Sequence, residues 1–142
     1  MVGEVVERYT DIVLDHARQP RNTGYIEDAD GIGTYGDPNC GDFAVMTVRV
    51  RGGRLVDVRF LVRGCGAAIA TCSMATELIK GKPLEVAERL TDEEILEALG
   101  GLPAQKLHCS LLAAGVVRAA IADYRQRQRR DLHDWRSLYR RH

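Results

Sequence analysis

The sequence has no excess of charge of either sign, because 20 Lys and Arg residues balance 20 Asp and Glu residues. A neutral chain has no global field to gather nucleic acid or an anionic membrane, so we expect partners to be recognised through local patches. A basic-then-apolar secretory signal is also missing, since Glu4, Glu7 and Asp11 interrupt the apolar residues of the amino terminus. The longest apolar run, 111–122, contains Arg118 and is too short to span a bilayer. These absences predict a cytoplasmic protein with no nucleic-acid or membrane partner.

The chain also has no Cys-x-x-Cys pair and no internal repeat. The first absence excludes the hairpin signature of a zinc ribbon or a thioredoxin-like site. The 142 residues, 45% of them hydrophobic, suffice for one domain with its own core. In a reducing compartment, the four cysteines are more often ligands, nucleophiles or packing residues than disulfides.

Apolar spacing and stop signals predict helices at both ends and in the middle of the chain. Thr91 and Glu94 form a capping-box pattern at the start of a short helix closed by Gly100. The predicted helices are 4–17, 67–80, a short turn within 83–90, the helix that begins at Thr91, and a last helix from near Cys109 or Ser110 to about Arg127.

Alternation of apolar and polar residues predicts an antiparallel hairpin over 44–63, with Gly52-Gly53 at its turn and a short first strand over 31–36. In the second arm, one face is expected to be buried and the other largely solvated. Such a sheet requires helices packed on a single side. The residues expected on the buried face of this arm are Val56, Val58, Phe60 and Val62.

Three cysteines occupy loop or helix-start positions. Cys65 lies between the second arm of the hairpin and the next helix, Cys40 lies in a turn that leads into a strand, and Cys109 stands at a helix start. A thiol in the first turn of a helix is favoured as thiolate, the metal-binding form. If the loops at one end of the sheet converge, the three thiols form one site; the alternative is that each is a separate small apolar residue.

Two neighbours of these cysteines could complete such a site. Asp42 follows Cys40 by two positions, on the same side of an extended segment, and offers a hard oxygen ligand. His108 precedes Cys109 and offers an imidazole, which suits both iron and zinc. The plainer interpretations are a turn-forming Asp42 and a capping or surface His108.

Cys72 and His16 are predicted to be packing residues. On one helix, Cys72 would lie roughly 10 Å along the axis from Cys65, too far for both sulfurs to bind one tetrahedral metal. His16 lies on the apolar face of the first predicted helix, which favours a core or capping role.

Three motifs, in order along the chain, resemble those of the IscU / NifU amino-terminal family of iron-sulfur cluster assembly scaffolds. They are Cys40-Gly41-Asp42, Gly64-Cys65-Gly66-Ala67-Ala68-Ile69-Ala70 and His108-Cys109-Ser110. The resemblance extends from Tyr9 to about Tyr124. It implies an α+β fold of the SufE/NifU-like type, with a small three-stranded antiparallel sheet and helices packed on one face.

The resemblance implies a scaffold and sulfur acceptor without independent enzymatic turnover. Cys40, Cys65 and Cys109 would be cluster ligands, Asp42 would modulate cluster release and His108 would be an additional or alternative ligand. Cys109 is our first choice as the sulfur acceptor. The implied cargo is a [2Fe-2S] cluster, with [4Fe-4S] as the alternative, and zinc in the protein as purified.

Partners implied by the resemblance are a cysteine desulfurase, apo iron-sulfur acceptor proteins, a frataxin-like protein and an Hsp70/J-protein pair. The chain has no pyridoxal or nucleotide motif, so desulfurase and ATP-driven chemistry must come from partners. The family's chaperone-docking segment often reads Leu-Pro-Pro-Val-Lys. The matching segment here is Leu102-Pro103-Ala104-Gln105-Lys106, and this departure argues against Hsp70 docking.

We predict a scaffold domain over 1–127 and an arginine-rich extension over 128–142, either a solvated, partly helical tail or a docking surface for an acidic partner. Two other functions remain open. One is a SufU-like zinc-bound sulfurtransferase that accepts persulfide sulfur. The other is a structural zinc module that binds a protein partner.

Overall fold

The structure, a computed structural model, describes residues 6–39 and 41–140, with side chains described to residue 132. The strands form one antiparallel sheet in the order β1-β2-β3, so the predicted hairpin and the three-stranded sheet are confirmed. In chain order, the elements are α1 (Asp11–Arg18), β1 (Gly31–Gly36), β2 (Phe43–Arg51), β3 (Arg54–Arg63), α2 (Gly66–Ile79), α3 (Leu84–Ala87), α4 (Asp92–Leu99), a 3₁₀ turn (Ala104–Lys106) and α5 (His108–Arg140).

The core lies between the sheet and the two longest helices. Helix α5 packs across β1 and β2, while α2 packs against β3 and against α5. The sheet contributes fully buried side chains, among them Ala44, Met46, Val48 and Phe60. This confirms an α+β fold in which one face of the sheet supplies the core.

Helix α1 begins at Asp11, so the predicted start at residue 4 is wrong. The hydroxyl of Thr10 accepts a hydrogen bond from the backbone N–H of Val13, which makes Thr10 the N-cap. Before it, the backbone N–H of Val6 donates to the carbonyl of Leu102, away from any helix. In the sequence, the helical spacing of apolar residues therefore extends toward the amino terminus beyond the first residue of the helix.

Val56 is 45% exposed, so its prediction as a buried residue of β3 is wrong. Arg49 pairs with Asp57, whereas the next residue of β2, Val50, pairs with Leu55. One extra residue on β3 forms a bulge, which reverses the facing of the residues before it. Leu55 consequently takes the buried position that alternation had assigned to Val56.

Helix α5 continues to Arg140, so the predicted end near Arg127 is wrong. Its 33 residues span about 50 Å. No glycine or proline interrupts the arginine-rich segment, so nothing in the sequence stops the helix there. The division into 1–127 and 128–142 stays a prediction, and it falls within a continuous helix.

The stretch Ala104–Leu132 is long and apolar enough to cross a membrane by length and composition. Its most apolar window, however, is 56% buried inside the fold. Val116 and Ala120, for example, are fully buried in the core. The apolar character of this helix therefore reflects its packing between the sheet and α2.

Glycines allow α5 to lie directly on the edge strand β1. A Cβ added to Gly33 would collide with the backbone of Ala119 and Ala120, and one added to Gly31 would come within 2.5 Å of the Ala120 carbonyl oxygen. One turn earlier in the helix, Gly115 leaves room for the ring of Tyr35. Any side chain at these positions would push the helix away from the sheet.

We therefore expect Gly33→Ala to lower the free energy of unfolding by about 1–3 kcal/mol, the usual cost of overpacking a core. Gly66→Ala is the matched control, because a Cβ there would meet only Ala17 at an ordinary 3.6 Å. The measurement is urea unfolding followed by circular dichroism. Equal unfolding midpoints for the two variants would contradict the close approach.

Candidate metal centre

The sheet brings two of the predicted site segments together at one end. Gly36 at the end of β1, Phe43 at the start of β2 and Arg63 at the end of β3 lie side by side in the register. Asp42 immediately precedes this row and Gly64 follows it. Cys65 is the N-cap of α2, directly after Gly64.

The first turn of α5 completes the group. The Sγ atoms of Cys65 and Cys109 are 4.0 Å apart. The Sγ of Cys109 is 3.7 Å from Asp42 Oδ2 and 3.7 Å from His108 Nε2. The last two atoms are 3.5 Å from each other. The structure therefore brings four of the five predicted site residues together, while Cys40 lies outside the described residues.

These separations fit donor atoms that share a metal ion. Two sulfurs bound at about 2.3 Å in tetrahedral geometry lie about 3.8 Å apart, and sulfur–oxygen or sulfur–nitrogen pairs lie about 3.5 Å apart. Within the described residues, Asp42, His108 and Cys109 offer ligand atoms that all lie within 4.8 Å of one another. These three residues combine one soft thiolate with an imidazole and a hard carboxylate, which suits iron or zinc. Cys65 is not part of this set, and it approaches the set through the Sγ of Cys109.

Gly64 is a site residue that the sequence did not single out. A Cβ at this position would lie 2.6 Å from Asp42 Oδ1 and 2.9 Å from the Cβ of Ala68. The missing side chain therefore lets the Asp42 carboxylate approach the junction of β3 and α2. The Gly-Cys-Gly motif was the available signal, but it gave no indication of what Gly64 contacts.

Cys65 is the thiol of this group that ionises more readily. Its partial burial acts to raise its pKa, but four other contributions together outweigh burial, and the net pKa is lowered. In order of size, they come from the backbone N–H groups of Ala68 and Ala67, the Cys109 thiol and the positive charge of Lys106. Since Cys65 is the N-cap of α2 and these N–H groups lie in the first turn, the start of the helix favours the thiolate.

Cys109 has the opposite character. It is fully buried, and burial raises its pKa. The nearby negative charges of Cys65 and Asp42 raise the pKa further. The expectation that any helix-start thiol favours the thiolate therefore fails for Cys109, since desolvation dominates.

Lys106 is a second residue that the sequence analysis missed as part of the site. Its pKa is raised chiefly by the nearby charge of the Cys65 thiolate. In the sequence, Lys106 stands out only as part of the segment that resembles a chaperone-docking motif. Its proximity to Cys65 depends on how the 3₁₀ turn before α5 is placed, which the sequence does not reveal.

The two residues predicted to be packing residues are buried. Cys72 has no exposed surface, and burial raises its pKa to about 12. His16 is 4% exposed, and its Nδ1 lies 2.7 Å from the hydroxyl oxygen of Ser73. His16 also faces Glu77, with its Nε2 3.4 Å from the carboxylate. His16 therefore joins α1 to α2 in the core.

Residues 8–131 match the NifU-like N-terminal domain family. The chain belongs to this family. One relative, the iron-sulfur cluster assembly scaffold protein IscU 1 of Archaeoglobus fulgidus, is 55% identical over 116 residues, which cover 82% of this chain and 76% of the relative. The scaffold protein IscU of Escherichia coli K12 is 42% identical over 124 residues, which cover 84% of this chain and 96% of the relative.

Solved structures agree on the fold. The amino-terminal part of a NifU-like protein from Brucella abortus superposes with a TM-score of 0.64 at 18% sequence identity. The match covers 82% of this chain and 94% of the solved chain. Family membership therefore rests on sequence, and the shared architecture is seen independently in three dimensions.

The difference in pKa between the two thiols predicts their order of alkylation. In chelator-treated, reduced protein at neutral pH, we expect iodoacetamide to modify Cys65 faster than Cys109 or Cys72, because a lowered pKa means more thiolate at a given pH. Peptide mass spectrometry after short pulses measures the rates. Lys106→Gln should slow alkylation of Cys65, whereas Lys82→Gln, an exposed control, should not. Equal rates at Cys65 and Cys109 would contradict the assignment.

Proposed function

We propose that this chain is a scaffold on which a labile iron-sulfur cluster is assembled and then transferred to apo-proteins. The observation that carries the proposal is the convergence of Asp42, His108 and Cys109 at separations that suit metal ligation, with the Cys65 thiol 4.0 Å from that of Cys109. The IscU relatives named above support the same function. The cluster is cargo, and the protein needs no turnover of its own.

The ligands that we propose are Cys40, Cys65 and Cys109, with Asp42 and His108 sharing the remaining position. Permanently held clusters are usually bound by four cysteines. Three thiolates with a carboxylate or an imidazole bind the iron of a cluster less strongly than four thiolates, because the harder ligand binds that iron less strongly than a fourth thiolate would. Such a set can build a cluster and also release it.

Sulfur would arrive from a cysteine desulfurase as a persulfide. A scaffold thiolate attacks the terminal sulfur, so the new S–S bond forms on the scaffold while the desulfurase leaves as its thiolate. Two electrons from an external electron-donor protein then cleave this bond and yield sulfide and the scaffold thiolate. Cys109 remains our proposed acceptor, and its raised pKa implies that a bound metal ion must first displace its proton.

We propose a [2Fe-2S] cluster as the cargo, with [4Fe-4S] as the alternative and zinc in the protein as isolated. The proposed partners are a cysteine desulfurase, apo acceptor proteins and a frataxin-like protein, in the cytoplasm. For an Hsp70/J-protein pair, the segment Leu102–Lys106 argues against docking through the usual sequence, although Ala104 and Gln105 are exposed.

Anaerobic reconstitution tests the function. With a cysteine desulfurase, cysteine, ferrous iron and a thiol reductant, we expect visible absorption and equal amounts of iron and sulfide in the protein. Cys109→Ser should abolish both, and Cys72→Ala is the matched control that should retain them. A colourless protein that holds one zinc and no sulfide, whatever the iron supply, would instead identify the SufU-like zinc sulfurtransferase or the structural zinc module.

Asp42→Ala should make a reconstituted cluster persist several-fold longer against a chelator, because loss of the hard ligand leaves the thiolates to hold the iron. The measurement is the decay of visible absorption with time. Asp57→Ala is the carboxylate control, since Asp57 lies six residues before the site end of β3, roughly 20 Å away. Faster cluster loss from Asp42→Ala would refute the role of Asp42 in release.

A further inference from the structure

Thr71 links the two helices that carry the described thiols. It lies in α2 with no exposed surface, and its hydroxyl oxygen is 3.0 Å from the carbonyl oxygen of Cys109 and 3.0 Å from that of Ala68. Between α2 and α5 themselves, this is the one hydrogen bond in the part of the chain that the structure describes. The acceptor of this hydrogen bond is the backbone carbonyl of Cys109, whose side chain is a proposed ligand.

A role in packing its own helix would explain one of the two contacts of the Thr71 hydroxyl, the one with Ala68. Buried threonines in helices often donate to a carbonyl one turn earlier, and the contact of Thr71 with Ala68 is of that type. The contact with Cys109 is not local, since 38 positions separate the two residues. Because a hydroxyl has a single proton, Thr71 shares it between its own helix and the first turn of α5.

The buried residues of α2 and α5, two helices that pack against each other, are largely small and mostly apolar. Ala67 and Ala68 of α2 and Ala113 of α5 are fully buried members of the core. Such contacts are non-directional, so they favour close packing without fixing how far one helix slides along the other. A directional hydrogen bond to the first turn of α5 supplies that constraint.

We propose that Thr71 is a positioning residue, which fixes the first turn of α5 so that Cys109 lies beside Cys65 at a separation that one metal ion can bridge. This inference rests on the proposed function of the site. It concerns the 4.0 Å between the two Sγ atoms, which is close to the roughly 3.8 Å of two thiolates on one tetrahedral ion. Thr71 itself is not one of the proposed ligands.

The chain offers a matched control in the same helix. Thr76 is also fully buried in α2, and its hydroxyl donates to the carbonyl of Ser73 at 2.7 Å, again one turn earlier. It also accepts a hydrogen bond from the side chain of Asn22, but it makes no hydrogen bond to α5. Thr76→Val therefore removes the local bond without touching the link between the helices.

The test is Co²⁺ binding to the full chain, followed through the thiolate-to-metal absorption band. We expect Thr71→Val to weaken Co²⁺ binding roughly five- to tenfold, the effect of losing about one hydrogen bond. Thr71→Ser should restore it, and Thr76→Val should stay within about twofold of the parent. Equal weakening in Thr71→Val and Thr76→Val, or none in Thr71→Val, would overturn the proposal. If Val is not tolerated at residue 71, Thr71→Ala replaces it.

A second readout requires no metal ion and separates failure of this inference from failure of the proposed function. In a Cys40→Ser, Cys72→Ala background, only Cys65 and Cys109 remain, and phenylarsine oxide can bridge them, as two thiols condense with the arsenic oxide and release water. We expect Thr71→Val to lower the fraction bridged, and Thr76→Val to leave it unchanged. If the parent forms no thiolate band with Co²⁺ but bridging still depends on Thr71, the proposed metal site is refuted and the positioning role is not. Bridging independent of Thr71 would refute the positioning role.

Discussion

The direct contact of α5 with the edge strand β1 is the constraint on which the rest of the structure depends. Because Gly31 and Gly33 have no side chains, the helix backbone at Ala120 lies on the strand itself. A helix is stiff over a few turns, so its contact at Ala120 also limits where Cys109 can lie, about 17 Å away along the axis. Packing near the middle of the sheet therefore sets the course of the helix, and contacts at its first turn set the final position of the thiol.

Local patterns were enough to predict most of the fold. The hairpin, its Gly52-Gly53 turn and the capped helix that begins after Thr91 agree with the structure, because each depends on residues close together in sequence. The errors arose where a distant contact decides the outcome. The bulge that exposes Val56 depends on how β3 pairs with β2, and the segment before α1 is held away from a helix where the Val6 N–H donates to the carbonyl of Leu102.

For the site, sequence predicted which residues meet but not their ionisation. Cys65 and Cys109 both stand at helix starts, so their positions in the sequence do not distinguish the two thiols. Burial separates them, since Cys65 has a lowered pKa and Cys109 a raised one. Gly64 and Thr71 were also beyond the reach of sequence, because their importance lies in what approaches them from other parts of the chain.

The carboxylate of Asp42 contacts two other side chains of the site directly, with no metal ion between them. Its oxygen accepts from the Cys109 thiol at 3.7 Å and lies 3.5 Å from the His108 imidazole. If these atoms hold metal as proposed, a proton would return to Cys109 when the metal leaves, and the emptied ligands could then hydrogen-bond to one another. A site made of four thiols would lack such an acceptor, because sulfur accepts hydrogen bonds weakly. Under the proposed function, a carboxylate at this position would therefore lower the cost of releasing the cargo, as a scaffold requires.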